Sequence, residues 1–271
     1  MESKTVQKPS KRGYLRSIVG REYYTAKRQV EWLRRSRTFA RPDDSIHLEH
    51  EHFTHRSMLL RPLRDVEMYL QHNKITNLRL AIERINGVVI RPGQTFSIWR
   101  LVGRPTASRG FLEGLVLANG RIEKGVGGGL CQLGNLIYWM ALHSQLTVTE
   151  RYRHGYDVFP DINRSIPFAC GATLAYNYID LQLRNDTADT FQIDLWLDDE
   201  YLNGGIRSSV PREFEYEVYE SDHLMKMQPW GRYTRHNRIW QRKTSLIDGM
   251  TAEKLVTENH AIMMYNPLLN P

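Results

Sequence analysis

The stretch GVGGGLCQLGNLIYWMALH, residues Gly125–His143, decides the fold because a glycine run leads directly into an apolar segment. The residues after the glycines are apolar on nearly every side, which is typical of a helix buried in the domain interior. Cys131 lies at or near the start of this helix, where free backbone N–H groups and the helix dipole favour a thiolate. The same pattern fits a small buried cysteine packed among glycines.

The positive charge of the chain is concentrated in its N-terminal arm. The 271 residues have a net charge of +7, and residues 1–42 hold 12 Lys and Arg against three Glu. From Tyr14 to Arg37 apolar residues recur at helical spacing among the basic ones, which predicts an amphipathic helix. Such a helix either lies on an anionic membrane surface or docks on its own domain. No recognition motif follows, so we expect no nucleic-acid partner.

The sequence favours a cytoplasmic location. It contains neither an apolar run of 18 residues nor an N-terminal signal peptide. Its two cysteines, Cys131 and Cys170, make no disulfide framework, and free thiols are the default in a reducing compartment. We therefore expect a cytoplasmic protein that is peripheral at the inner face of the membrane where its basic helix contacts lipid.

The polar segment Ala40–Phe53 predicts a linker that carries several histidines. His47, His50 and His52 lie close together in sequence, with His55 just beyond. Their spacing matches no recognised ligand template, so we expect no metal site. Nothing in the chain indicates a cofactor.

Helical patterns precede strand patterns along the chain, which predicts an α+β fold with an antiparallel sheet. Helices are expected over Leu59–Leu70 and Ile75–Ile85, and a tight hairpin at Asn119-Gly120. Strands are expected over Val88–Ile90, Thr95–Leu101, Leu146–Tyr152, Ala172–Arg184, Phe191–Leu197, Phe214–Tyr219, Thr234–Lys243, Lys254–Thr257 and His260–Tyr265.

Three regions follow from this pattern. Residues 1–54 are expected to form a basic helical arm and linker. Residues 55–204 are expected to form a core domain, with the buried central helix packed on an antiparallel sheet. Residues 205–271 are expected to form a β-rich C-terminal subdomain. We also expect the strands Ala172–Arg184 and Phe191–Leu197 to pair as neighbours.

Four motifs carry a family resemblance: RPGQTFSIWRLVGRPT (Arg91–Thr106), VGGGLCQLGNLIYW (Val126–Trp139), RYRHGYDVFPD (Arg151–Asp161) and GATLAYNYIDLQLRN (Gly171–Asn185). With them the chain resembles the VanW family, bacterial proteins first named from a vancomycin-resistance gene cluster. The resemblance implies an accessory role in glycopeptide resistance or cell-wall physiology, with no settled biochemical activity. Secreted relatives commonly have an aspartate where this chain has Gly171, so a role of that aspartate does not carry over.

A cysteine-dependent mechanism is one hypothesis for the chemistry. Cys131, His154 and Asp180 follow in the order seen in transglutaminase-like and papain-like peptidases, which they resemble in arrangement only. Gln132 would then supply an oxyanion donor. Asp157 and Asn177 are alternatives for the third group. The protein would be a hydrolase or acyltransferase acting on amide or ester bonds of cell-wall peptide material.

A non-catalytic binding module is the other hypothesis. The backbone of Gly127, Gly128 and Gly129 can cradle a phosphate or carboxylate on its N–H groups, although the Lys-Ser/Thr of a P-loop is missing. Arg151 and Arg153, with Tyr156 nearby, would hold an anionic cell-wall precursor at the same mouth. The partner would then be that precursor, a peptide-like small molecule or another protein.

Overall fold

The computed structural model describes residues 14–60, 67–118, 120–158 and 166–268. These residues form an α+β fold, which confirms the predicted class. The helices are α1 (Tyr14–Arg34), α2 (Met68–Ile85), α3 (Ile98–Val102) and α4 (Cys131–Ala141). The strands of the first half are β1 (Arg41–Pro42), β2 (His50–Met58), β3 (Val88–Ile90), β4 (Thr95–Ser97), β5 (Glu113–Ala118), β6 (Arg121–Val126) and β7 (Thr147–Glu150). The strands of the second half are β8 (Tyr156–Asp157), β9 (Gln182–Arg184), β10 (Phe191–Leu197), β11 (Tyr201–Ser208), β12 (Phe214–Met227), β13 (Tyr233–Ser245) and β14 (Thr251–Met263).

The central helix α4 packs on a five-stranded antiparallel sheet, as the sequence predicted. The strand order is β1-β3-β10-β11-β2, and α4 lies against β11 and β2. Gly204 on β11 makes the close approach possible, because a Cβ there would lie 2.9 Å from Met140 Sδ. Leu133, Ile137 and Met140 are fully buried, so α4 forms the middle of the core.

The remaining strands form three smaller sheets. β4, β9 and β7 make an antiparallel sheet, and β5 pairs with β6 as the predicted hairpin, with Ala118 opposite Arg121. The long strands β12, β13 and β14 form an antiparallel meander, and short β8 joins β14 in parallel. Because β8 belongs to the chain between α4 and the C-terminal strands, it ties the β-rich tail to the core.

The expected linker at residues 40–53 is partly a strand. β2 begins at His50 and forms an edge of the large sheet, where its side chains alternate between the core and solvent. The outward side chains of β2 are polar like those of a linker, so the sequence did not predict this strand. The helix predicted over Leu59–Leu70 is wrong at its start, since Leu59 and Leu60 follow β2 and are not helical, whereas Met68–Leu70 do belong to α2. Residues 61–66 of that prediction lie outside the described residues.

The long strand predicted over Ala172–Arg184 is wrong. Only Gln182–Arg184 is a strand, because the chain reverses between Ala175 and Ile179 with Asn177 at φ +52°. β9 pairs with β4 and β7, so it is not a neighbour of β10. The strand predicted from Thr95 also ends early, at the residue that caps α3.

The basic helix α1 docks on the body of the protein. Trp32 and, after the helix, Phe39 and Ala40 are buried in the main core. Arg28 makes two hydrogen bonds of 2.6 and 2.7 Å to the carboxylate of Glu150. Within the described ranges, no helix is long and apolar enough to cross a membrane.

The expected boundaries after residues 54 and 204 both fall inside strands. Residue 54 lies in β2 and residue 204 lies in β11, and these two strands pair along their length. Neither position therefore separates two units of the five-stranded sheet. The C-terminal region beyond it is β-rich, as the sequence indicated.

Candidate functional site

The glycine run ahead of α4 is a tight turn whose N–H groups are used inside the protein. Each N–H donates at 2.9 to 3.0 Å to a backbone carbonyl oxygen, the acceptors for Gly127, Gly128 and Gly129 being Leu112, Gly125 and Leu115. A phosphate cradle requires free N–H groups, and these three are occupied. The geometry therefore gives no support to the glycines as the ligand-binding element.

The structure explains why glycine is needed at these positions. Gly127 and Gly129 have φ of +77° and +91°, in the left-handed region that favours glycine. A Cβ on Gly128 would lie 2.1 Å from the carbonyl carbon of Gly114 in the neighbouring hairpin. The run thus serves close packing of the β5–β6 hairpin against the start of α4.

Asn77 holds this turn in place. The sequence did not identify it as a functional or structural residue. Its Nδ2 donates to Gly128 O at 2.9 Å and to Leu112 O at 3.0 Å, and its Oδ1 accepts from Leu112 N at 2.8 Å. The side chain is fully buried in α2. A polar residue within the buried face of an otherwise amphipathic helix is the signal that could have identified it.

Cys131 is the first residue of α4 and is partly buried against the main core. Its Sγ lies 4.0 Å from the carbonyl oxygen of Leu174, which is a weak hydrogen bond. Burial raises the pKa of the Cys131 thiol above its ordinary value, and the contact with Leu174 offsets this only in part. An activated nucleophile requires the opposite shift.

Gln132 is fully engaged with β2. Its Nε2 donates to Ser57 Oγ at 3.0 Å and to the Met58 carbonyl oxygen at 2.8 Å. These bonds fix the start of α4 against the edge of the large sheet. The amide is therefore not free to stabilise an oxyanion in this conformation.

Asp180 belongs to a buried network at the start of α3. Its carboxylate accepts from Ser97 Oγ at 2.5 Å, and from the backbone N–H groups of Trp99 at 3.1 Å and Leu181 at 2.9 Å. Burial raises the pKa of Asp180 to about 6, although these hydrogen bonds act in the other direction. The carboxylate joins α3 to the turn before β9, and no histidine is among its hydrogen-bond partners in the described structure.

His154 forms no hydrogen bond with Cys131 or Asp180 in the described structure. Its neighbour Gly155 accepts a hydrogen bond from Ile262 N in β14, so this segment runs along the C-terminal sheet. Among the described residues, His154 Nε2 is buried without a hydrogen-bond partner. Burial and the charge of Arg153 lower the pKa of His154. The structure forms no hydrogen bond between any two members of the Cys131–His154–Asp180 set.

The two alternatives for the third member of the catalytic set are Asp157 and Asn177. Asp157 accepts from Tyr265 Oη at 2.9 Å and forms an ion pair with Arg235 at 3.5 Å. Asn177 is 1% exposed, and neither its Oδ1 nor its Nδ2 has a hydrogen-bond partner among the residues described. Asn177 also occupies the left-handed region, a strained arrangement that recurs at functional positions in proteins.

Arg151 clamps the loop that follows the undescribed residues 159–165. Its guanidinium donates to Gly171 O at 2.8 Å and to Ala169 O, and it lies 4.6 Å from the ring centre of Tyr138 on α4. Ala169 is held at φ +72°, which is strained for a residue with a Cβ. Arg151 therefore stabilises an unusual loop conformation beside the central helix.

Two further arginines contact the ring of Phe168. The guanidinium carbons of Arg153 and Arg235 lie 5.2 and 4.2 Å from the centre of the Phe168 ring. We call Arg151, Arg153 and Arg235 the arginine cluster. Arg153 donates to His260 O at 3.2 Å, which ties the cluster to β14.

The arginine cluster contains three guanidinium groups, with Asp157 in an ion pair to Arg235 and Glu220 Oε2 accepting from Phe168 N at 3.2 Å. Burial and, to a smaller extent, the charge of Arg151 lower the pKa of Arg153 to about 10, and the opposing effect of Asp157 offsets them only in part. Asp157 is the carboxylate that forms an ion pair with the cluster in the described structure. A half-buried guanidinium beside a second one favours an anion.

Tyr156 packs on the tip of the β5–β6 hairpin. A Cβ on Gly120 would lie 2.8 Å from the Tyr156 ring, so the glycine makes room for this ring. Tyr156 and Arg153 thus lie on one continuous segment, between the hairpin and β14. The sequence identified this segment but not Phe168 or Arg235. Phe168 is hydrogen-bonded to Asn237 of β13, and β13, which carries Arg235, is connected to β8 through β14.

The histidines of β2 are separate from the arginine cluster. His52 is buried, and its Nε2 contacts Val210 O at 2.9 Å, whereas His55 lies 6.1 Å from Trp139, centre to centre. In the part of the chain that the structure describes, no three His, Cys, Asp or Glu side chains form a group that could hold a metal ion.

Comparison with known proteins places the chain in a family. The model of the family described as VanW like protein matches residues 73–207. The chain is 40% identical over 152 residues to the vancomycin B-type resistance protein VanW of Enterococcus faecalis, covering 56% of this chain and 55% of that protein. It is 28% identical over 112 residues to the uncharacterized protein YoaR of Bacillus subtilis, covering 40% of this chain and 34% of that protein. No solved structure matches the chain.

The match spans about half the length of the first relative and a third of the second. The match of the family model includes α4 with its glycine run, the segment from Arg151 to Asp157 and the turn at Asn177. A Cβ on Gly171 would lie 2.7 Å from Asn135 Oδ1 on α4. On the match of the family model and the identity to the relative of Enterococcus faecalis, this chain belongs to the VanW family.

Proposed function

We propose that this protein is a non-catalytic accessory protein of glycopeptide resistance that binds an anionic cell-wall precursor. The role in resistance is suggested by the name of the relative in Enterococcus faecalis, the vancomycin B-type resistance protein VanW. The matched region covers 55% of that protein, so an activity of the whole relative is attributed to this chain only as part of the proposal.

The observation that carries the proposal is the charge at Arg153. Its half-buried guanidinium has one hydrogen bond, to a carbonyl oxygen, and lies close enough to Arg151 for the second charge to lower its pKa. Bringing a phosphate or carboxylate to this position would relieve the repulsion and form charge-assisted hydrogen bonds. The ligand is therefore expected to be an anion.

The surroundings favour a ligand that is larger than a simple anion. Tyr152, between the two arginines in sequence, is 62% exposed. We infer that its ring would stack on a sugar or base of the ligand. A nucleotide-linked muramyl peptide combines a diphosphate with a sugar, a base and a peptide, and matches this combination of groups. Such precursors are made in the cytoplasm, and the cytoplasmic location is part of this proposal.

The state of Cys131 favours binding over catalysis. The pKa of its thiol is raised, and its hydrogen-bond partner is a carbonyl oxygen that cannot remove a proton. Gln132, the candidate oxyanion donor, is bonded to β2. A cysteine-dependent hydrolase or acyltransferase would need each of these groups in another arrangement.

The test is calorimetric titration of the full chain with UDP-N-acetylmuramyl-pentapeptide, UDP and the free pentapeptide. The proposal predicts that the complete precursor binds more tightly than UDP and that the free pentapeptide binds most weakly. Equal binding of the precursor and the free pentapeptide would show that the diphosphate is not recognised, and would contradict the proposal of a nucleotide-linked ligand.

Two arginine variants make the test specific to the site. Arg153→Gln should weaken binding of the precursor about tenfold or more, since a charge-assisted bond contributes roughly 1.5–3 kcal/mol. Arg79→Gln removes an exposed arginine on α2 and serves as the matched control, which should bind like the unmodified protein. An unchanged melting temperature of Arg153→Gln excludes unfolding as the cause.

A further inference from the structure

Helix α1 has one face fixed to the body of the protein. Thr25 and Trp32 on this inner face are buried, at 8% and 9% exposure. Arg28, between them, is bonded to Glu150, and the Trp32 carbonyl oxygen accepts a 3.5 Å hydrogen bond from Arg100. These contacts define the orientation of α1, and therefore also the face that it turns to solvent.

The opposite face of α1 is an apolar stripe. Val19, Tyr23, Val30 and Leu33 are 67%, 62%, 45% and 76% exposed, and the small residue Ala26 lies between them and is also exposed. Their spacing of four and three residues places all five on one side of the helix. The stripe extends about 21 Å along the helix axis at 1.5 Å per residue.

Basic and aromatic side chains flank the stripe. Lys27 and Arg34 are exposed, lie on the same flank by helical geometry, and form no ion pair with any described residue. Tyr24 packs edge-to-face on Tyr178, with ring centres 5.4 Å apart, and both rings remain more than 40% exposed. Tyrosine is enriched where proteins meet the membrane interface.

We propose that the outward face of α1 is a docking surface for an anionic lipid membrane. The apolar stripe would enter the interface between headgroups and acyl chains, and Lys27 and Arg34 would contact lipid phosphates. A second copy of the chain could also cover an apolar stripe with this spacing. The charge of residues 1–42, 12 Lys and Arg against three Glu, opposes pairing of two arms and favours an anionic surface.

This surface is independent of the arginine cluster, so it can be tested separately. The experiment is co-sedimentation of the full chain with phosphatidylcholine vesicles that contain about 30% phosphatidylglycerol, compared with pure phosphatidylcholine vesicles. The proposal predicts binding to the anionic vesicles and little binding to the neutral ones. Absence of binding to the anionic vesicles at physiological salt would overturn it.

The variant Val30→Glu/Leu33→Glu tests the stripe itself. Both side chains are exposed, so the fold should be kept, and the partition coefficient on anionic vesicles should fall about tenfold or more. Ile247→Glu/Met250→Glu is the matched control, because these apolar residues are 80% and 71% exposed at the turn between β13 and β14. The control should bind like the unmodified protein.

Two outcomes with these variants would contradict the proposal. If Val30→Glu/Leu33→Glu binds anionic vesicles as well as the control, the basic residues alone carry the binding and the stripe is not inserted. If the unmodified protein sediments as a dimer and Val30→Glu/Leu33→Glu as a monomer in analytical ultracentrifugation, the stripe is covered by a second copy.

Discussion

Gly128 and Gly114 are in backbone contact, so that a Cβ on Gly128 would lie 2.1 Å from the carbonyl carbon of Gly114. This contact is the reason for the middle glycine in the sequence GGG, since its φ is not in the left-handed region. The glycine run is therefore part of the packing between the β5–β6 hairpin and α4. Its three N–H groups donate to backbone carbonyl oxygens, which is consistent with that role.

Gly128→Ala should lower the free energy of unfolding by about 3 kcal/mol, because backbone atoms on both sides would have to move. Chemical denaturation measures this directly. Gly20→Ala is the control: no atom lies within 4 Å of the position of its Cβ, and alanine favours a helix. A Gly128→Ala protein as stable as the unmodified one would show that the contact is not tight in solution.

Trp32→Ala should lower the free energy of unfolding by about 3 kcal/mol, since it removes a large buried side chain that joins α1 to the core. Leu33→Ala is the matched control on the same turn, where the side chain is 76% exposed, and it should change stability by less than about 0.5 kcal/mol. Equal effects of the two variants would mean that α1 is not docked as described.

Asp180 should make stability depend on pH. Its pKa is raised to about 6 from the ordinary 3.8, so the folded chain holds a proton that the unfolded chain releases. The free energy of unfolding should therefore fall as pH rises from about 4 to about 6, by about 3 kcal/mol from this group. The carboxylate is fully buried, so solvent screening is small.

The Asp180 effect is isolated by subtracting the pH profile of Asp180→Asn from that of the unmodified protein. Asparagine keeps the size of the side chain and does not titrate. The difference profile should slope in the stated direction between about pH 4 and 6. A flat difference profile, or one with the opposite slope, would mean that the carboxylate is ionised in the folded protein at low pH.

Cys131 should be alkylated by iodoacetamide about tenfold more slowly in the folded protein than in the urea-unfolded chain at neutral pH. The reason is that burial raises the pKa of its thiol and limits access to Sγ. Mass spectrometry of the labelled peptides gives both rates. Faster labelling of Cys131 in the folded protein would support the hypothesis that Cys131 is a nucleophile activated at the helix N-terminus.

The sequence predicted the buried central helix and the β5–β6 hairpin because their signals are local. An apolar segment identifies α4, and Asn119-Gly120 identifies the turn. The sequence did not predict the reversal at Asn177. Apolar and polar residues alternate from Ala172 onward, and this pattern is the same for a strand and for a chain that turns back. The sequence did not predict β2 either, because an edge strand exposes polar side chains just as a linker does.

The candidate site was predictable only in part. Arg151, Arg153 and Tyr156 lie on one short segment, and their residue types indicate a binding surface. Arg235 is 78 residues away from Asp157 in sequence, and the two meet only because β8 joins β14 in the C-terminal sheet. The members of the proposed catalytic set form no hydrogen bonds with one another in the described structure, and sequence order alone does not determine which elements pack together.

The most direct test of the central claim compares Cys131→Ala with Arg153→Gln in their affinity for UDP-N-acetylmuramyl-pentapeptide. If the protein binds the precursor at the arginine cluster without using the thiol, Cys131→Ala keeps the dissociation constant of the unmodified protein. Arg153→Gln then raises the dissociation constant about tenfold or more, and Arg153→Lys recovers part of the loss. An unchanged dissociation constant in Arg153→Gln, or precursor cleavage that is lost in folded Cys131→Ala, would contradict the account.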